Sequence, residues 1–210
     1  EALRTLYAAE AGPLGRAAVD TIDAVTRLRE LRSRNDPPST GASYPDSTFG
    51  RGLREIARLI KADVGLVATT IDLDGWDTHF VQSQLIGSLM TDLASGLNAF
   101  VTDLGDLRHR VTVVTMTEFG RRVRENTSFG TDHGLGSIMF LLGDGLDSLG
   151  GGRVTSGWRN LSDAELVDVG DVPAAINYRD VLAPVLLRHS PGIDLAQVFP
   201  AHQLRPVFSA

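Results

Sequence analysis

Carboxylates and imidazoles gather in two stretches of this chain. One is Asp72-Leu73-Asp74-Gly75-Trp76-Asp77-Thr78-His79; the other is Thr117-Glu118-Phe119-Gly120-Arg121-Arg122, continued by Thr131-Asp132-His133-Gly134. Carboxylate oxygens and imidazole nitrogens are the donors that hold divalent cations such as zinc, manganese or calcium. Asp77, His79, Glu118, Asp132 and His133 are therefore candidate metal ligands. Sites for phosphoryl or sulfuryl chemistry commonly pair two cations about 3.5–4 Å apart, and these five residues would supply most of such a pair. Arg121 follows Glu118 closely, and a guanidinium fork suits a bidentate hold on a tetrahedral oxyanion, so it is the candidate anion-binding group. Arg122 and Arg124 read instead as solvated charges beside Glu125. Taken singly, an Asp-Thr-His or Asp-His-Gly is ordinary turn chemistry, where a His more often makes a hydrogen bond than a metal bond. Trp76 either walls a pocket or is simply core.

The elements that must position these residues follow from periodicity. In an open parallel sheet, ligands bind outside the carboxyl ends of the strands, so both stretches are expected at strand ends. Residues 65–71, rich in Val, Leu and Thr, predict a short buried strand, and residues 111–117, almost all β-branched, predict a second. Between them Val81, Leu85, Leu89, Leu93, Leu97, Phe100, Leu104 and Leu107 recur at helical spacing, as in a long crossover helix. Two such strands joined by one helix form a right-handed βαβ unit with a parallel pair, so the expected fold class is α/β, a mostly parallel sheet flanked by helices. A third apolar run at 138–142 is followed by a Gly-rich piece, 143–157, read as turns or a short hairpin.

Upstream, residues 14–31 have the spacing of an amphipathic helix, and 33–47 is a loop holding Pro37, Pro38, Gly41 and Pro45. Asp46 or Ser47 then caps a helix to about Lys61, with Leu53, Ile56, Ala57 and Ile60 inward. A last helix over 177–188 is capped by Asn177 with Asp180 in its first turn; Pro184 either kinks it or marks its true start. The chain thus divides into an N-terminal helix and loop, 1–47, and a metal-site portion, 48–210. His109, His189 and His202 fall at helix ends or in the tail and read as structural or exposed.

Charge and composition exclude several classes. With 20 Lys and Arg against 26 Asp and Glu, the net charge is -6, and no basic stretch is dense enough to track a nucleic-acid backbone. No apolar run approaches the roughly 20 residues of a membrane span. Cysteine is absent, which removes disulfides, thiolate nucleophiles and Cys-ligated zinc, so any metal must use oxygen and imidazole. The chain opens at Glu1 inside a helical pattern, without an initiator Met or signal-like apolar core, which raises the expectation of a processed or truncated product.

Three motifs in order, Gly75-Trp76-Asp77-Thr78-His79, Thr117-Glu118-Phe119-Gly120-Arg121 and Gly130-Thr131-Asp132-His133-Gly134, resemble the bacterial domain of unknown function 1501 family, which is placed with the alkaline phosphatase and sulfatase superfamily. Gly151-Gly152-Arg153-Val154, Tyr178-Arg179-Asp180-Val181 and Val198-Phe199-Pro200 are similar too, and the resemblance spans about 53–200. It implies an alkaline-phosphatase-like sheet sandwiched by helices, a metal-dependent hydrolase ancestry, and export, commonly through a twin-arginine signal, without implying a known substrate. The leading expectation is a metallohydrolase of small phosphate or sulfate esters. Asp77 and His79 resemble the superfamily's ligands after one strand, and either Asp132 of the Asp-His pair or Glu118 at its strand end matches its Asp. A degenerate member serving as an extracytoplasmic binding or assembly module is the alternative. Full-length members begin with an apolar strand and a Gly-rich, Asp-containing turn that carries a further ligand and the place of the nucleophile. That pattern is not found here. The chain therefore resembles a C-terminal portion, expected to show no appreciable esterase activity alone and to associate through an unpaired strand edge.

Overall fold

The structure, a computed structural model, describes residues 1–34, 36–144, 146 and 151–208. Contacts divide the chain into two compact units, Glu1–Leu73 with Asp92–Gly105, and Asp74–Thr91 with Asp106–Ala210.

The first unit is helical. Helices α1 (Ala2–Ala8) and α2 (Pro13–Ser33) open the chain, with Pro13 at the first helical position, where its missing N–H costs nothing. The Pro-rich loop ends at Ser47, the N-cap of α3 (Thr48–Lys61): its Oγ accepts from Gly50 N at 3.0 Å and donates to Asp92 at 2.8 Å. Phe49, Leu53 and Ala57 of α3 are buried, as are Leu97, Ala99, Phe100 and Leu104 of α4 (Gln82–Leu104), spaced so that each helix presents one apolar stripe. Among the described residues, Asp103 is the one charge taken fully into this core. It is paired with Lys61 and accepts from Ser39 N at 2.5 Å and Tyr44 Oη at 2.9 Å, so its charge is satisfied on every side.

The second unit carries the sheets. A 3₁₀ turn, Gly105–Arg110, leads into β1 (Val113–Val114), which pairs antiparallel with β4 (Leu141–Leu142) in the register Val113↔Leu142 and Val114↔Leu141. Strands β2 (Gly120–Glu125) and β3 (Thr131–Gly134) form a second antiparallel pair, with Gly120 opposite Gly134, Arg121 opposite His133, and an irregularity before Glu125. Helix α5 (Tyr178–His189) starts at Asn177, whose side chain accepts from Arg179 N, and it contains Pro184 internally; α6 (Leu195–Val198) closes the chain. Val181, Ala183, Val185 and Phe199 are buried, and buried Asp180 accepts from His202 Nε2 at 2.8 Å and Arg205 N at 2.9 Å, tying the tail to α5.

The α/β character holds, as helices with two small antiparallel sheets. The expected parallel pair is not formed among the described residues. Residues 65–71 make no sheet pairing and are exposed up to Ile71, Val67 to 91%. β-branched residues favour a strand only where a neighbour takes the backbone hydrogen bonds and covers a face, and neither is present here. The run 111–117 shrinks to two residues because its partner is the short run 141–142. In the Gly-rich piece 143–157, residues 145 and 147–150 lie outside the described residues, and the rest forms no strand. Among the described residues no helix is long and apolar enough to cross a membrane.

Candidate metal centre

The β2–β3 turn is built by Asn126. Its Oδ1 accepts from Ser128 N at 2.9 Å and Gly130 N at 3.1 Å, an Asx turn, while Phe129 takes a left-handed φ of 61°. The same amide donates from Nδ2 to the His79 carbonyl at 3.0 Å and to Asp132 Oδ1 at 3.0 Å, so one side chain fixes the turn, the His79 backbone and the Asp132 carboxylate. Phe80 and Phe129 form a β-bridge, and Val81 N and Gln82 N donate to the carbonyls of Ser128 and Phe129 at 3.0 and 2.8 Å. Val81 holds φ 40°, a strained value for a β-branched residue, as the chain turns into α4. Gly130 must be glycine: a Cβ there would lie 2.2 Å from the His79 carbonyl carbon and 2.3 Å from its oxygen.

This crossing places three ligand atoms together. His79 Nε2 is 3.2 Å from His133 Nε2 and 3.0 Å from Asp77 Oδ1, and His133 Nε2 is 2.8 Å from the same oxygen. Among the described residues, Asp77, His79 and His133 are the group whose ligand atoms are spaced for a metal ion. Ligands bonded to one cation at about 2.0–2.2 Å lie about 3.0–3.5 Å apart along the edges of an octahedron or tetrahedron, so the triangle has the size of one coordination face. The side chains are 66% (Asp77), 41% (His79) and 45% (His133) exposed, leaving the outer side open to water or a substrate.

The surroundings hold these donors in their charged or oriented forms. The hydrogen bond from His133 keeps the Asp77 carboxyl below the usual carboxylate range against some desolvation, with the charges of His79, His133 and Arg121 acting in the same direction. Asp132 is likewise held low, first by the Asn126 amide and then by Arg122. Asp132 Oδ1 faces the Nδ1 edge of His79 at 3.7 Å, opposite the Nε2 that joins the triangle. The His133 ring stacks on Phe119 at a centroid distance of 3.8 Å and 17° between planes.

Of the five expected ligands, the structure thus brings Asp77, His79 and His133 to one point and sets Asp132 behind His79. Glu118 stands apart: it is exposed, and among the described residues it has no hydrogen-bond or ion-pair partner. In the Thr-Glu-Phe-Gly-Arg motif it is Phe119 and Arg121 that touch the site. Arg121 gives its guanidinium to main-chain carbonyls, Thr131 O and, at 2.5 Å, Trp76 O, and thereby clamps the two ligand-bearing segments together. Trp76 is half-buried and enters through that carbonyl. Arg122, read from sequence as a solvated charge, reaches Asp132 at 3.4 Å and Asp171 at 3.3 Å, while Arg124 pairs at the surface with Asp163 at 2.7 Å. Asn126 went unnoticed in the sequence, although an Asn two residues before Ser and four before Gly is an Asx-turn signature. His189 and His202 bond to Thr112 and Asp180.

No curated protein and no solved structure matches the chain. The family described as "Protein of unknown function (DUF1501)" matches residues 6–208, which extends the likeness seen in the motifs through the N-terminal helices. With its three motifs folded into a single cluster and nearly its whole length matched, the chain belongs to the DUF1501 family.

Proposed function

We propose that Asp77, His79 and His133 bind one divalent cation, and that the protein uses it as a metal-dependent hydrolase of small phosphate or sulfate esters. The observation that carries the metal reading is the triangle of 2.8, 3.0 and 3.2 Å between donor atoms from segments far apart in sequence. Two imidazoles and a carboxylate suit zinc or manganese better than calcium, which prefers all-oxygen shells. Asp132 and Asn126 orient His79: a proton on Nδ1 facing Asp132 leaves the Nε2 lone pair on the open side. When bound, the cation supplies polarisation of the ester oxygen and stabilisation of developing charge. The hydrolase assignment, the alkaline-phosphatase-like relationship and export through a twin-arginine signal are supported by the resemblance of the motifs.

A second reading, a non-catalytic binding or assembly module, is favoured by one feature. Arg121, the side chain expected to hold the ester oxyanion, is engaged with backbone carbonyls, and buried Thr78 hydrogen-bonds to the Trp76 carbonyl and to Arg121. Turnover of an aryl phosphate and an aryl sulfate by the native gene product, with zinc or manganese and then with chelator, separates the two. Metal-dependent hydrolysis abolished by His133→Ala supports the enzyme; metal binding without turnover of either ester supports the module.

A further inference from the structure

The helical unit contains a cavity of about 320 Å³ that is unrelated to the metal cluster and strongly cationic. Its charged walls are Arg34, Arg54, Arg58 and Lys61 against Asp36 and Asp103. In a chain of net charge -6, such an excess is local. Arg54, Arg58 and Lys61 stand at i, i+4 and i+7 on α3, one stripe of like charge that repels itself unless something neutralises it.

Three of the four cations already have partners. Arg34 pairs with Asp36 at 3.3 Å, and Lys61 with Asp103. Arg58 holds Glu55 at 2.9 Å through Nη1 and the carbonyls of Leu31 and Arg34 at 2.7 and 2.8 Å through Nη2. Arg54 has no hydrogen-bond or ion-pair partner among the described residues. The Nε atoms of both Arg54 and Arg58 are buried without an acceptor. A buried guanidinium N–H without an acceptor is costly and rare in folded proteins, so two at one cavity point to an absent acceptor. We infer that this cavity binds a tetrahedral oxyanion, a phosphate or sulfate group, with Arg54 as the principal contact and Arg58 Nε as the second. Two guanidinium edges from separate side chains suit several oxygens of one tetrahedral ion.

The group could arrive as the free ion or as an ester, and titration calorimetry at constant ionic strength separates these. Inorganic phosphate, inorganic sulfate and phenyl phosphate are titrated into the full chain with chelator present, so that the metal cluster takes no part. Saturable one-site binding is expected for at least one of them, weakened at least about tenfold in Arg54→Gln, less in Arg54→Lys, and within about twofold in Arg51→Gln, whose exposed side chain pairs with Asp46. Tighter binding of phenyl phosphate than of phosphate identifies an ester ligand; the reverse identifies the free ion. Should Arg54→Gln fail to fold, the graded loss in Arg54→Lys decides. Absence of saturable binding by all three up to about 10 mM, or equal losses in the Arg51 and Arg54 variants, overturns the proposal.

Discussion

Three atoms within hydrogen-bond distance of one another pose a protonation problem at the residue scale. If Nδ1 of His79 carries its proton toward Asp132, its Nε2 is a lone pair; it can accept from His133, but it then meets the Asp77 oxygen at 3.0 Å with no hydrogen between them. A cation in the face of the triangle removes that conflict by taking the lone pairs of all three atoms. Protons and metal therefore compete, and zinc affinity is expected to fall steadily on acidification, with protons released on binding; calorimetry in buffers of differing ionisation enthalpy measures both. Asp77 and Asp132, held below the ordinary carboxylate range, stay ionised to lower pH than a free carboxylate. Asp132→Asn or Asn126→Ala is expected to weaken zinc binding about 10–100-fold by loosening His79. Glu118→Gln is expected to change it less than about twofold, because Glu118 lies outside the triangle. A loss on Glu118→Gln as large as that on Asp77→Asn would return Glu118 to the ligand set. Asp77, His79 and His133 were legible in the sequence because donor types and motif order carry information directly. The support from Asn126 and Arg122 was not, because it depends on which backbone the β2–β3 turn meets.

At the scale of elements, local capping chemistry was legible and pairing was not. Of the two candidate caps Asp46 and Ser47 the helix takes Ser47, and Asn177 stands where the sequence places it, since a cap involves only neighbouring residues. Ser47→Ala is expected to lower stability by about 1 kcal/mol in urea titration. The run 65–71 misleads because composition cannot say whether a partner strand lies alongside. The β2–β3 hairpin was hidden for the opposite reason: Arg121-Arg122-Val123-Arg124-Glu125 lacks the apolar alternation of a half-buried strand, and its pairing is carried by glycines and backbone bonds. Gly130→Ala tests that hairpin. Because the added methyl meets the His79 carbonyl, the variant is expected to lose zinc binding at least about tenfold while far-ultraviolet circular dichroism stays near wild type; retained affinity would show that the crossing is looser than described.

Across the molecule, the buried Asp103 sets how the helical unit responds to acid. Burial pushes its carboxyl upward, but Lys61, the Ser39 amide and the Tyr44 hydroxyl outweigh that and leave it below the ordinary range. A folded carboxyl held low contributes stability above about pH 4 and loses it as pH falls through the lowered value. Asp103→Asn is expected to cost about 3 kcal/mol at neutral pH, the lower end for a broken buried pair because Lys61 is 30% exposed, with the gap to wild type narrowing below pH 4 in denaturation series. The most direct test of the metal centre is titration of the metal-free chain with zinc and manganese. One equivalent binding with micromolar or tighter affinity, weakened at least about 100-fold in both His79→Ala and His133→Ala, is the expected result. A chain that binds neither metal, or a His133→Ala variant that binds as wild type does, would contradict the assignment of Asp77, His79 and His133 as a metal site.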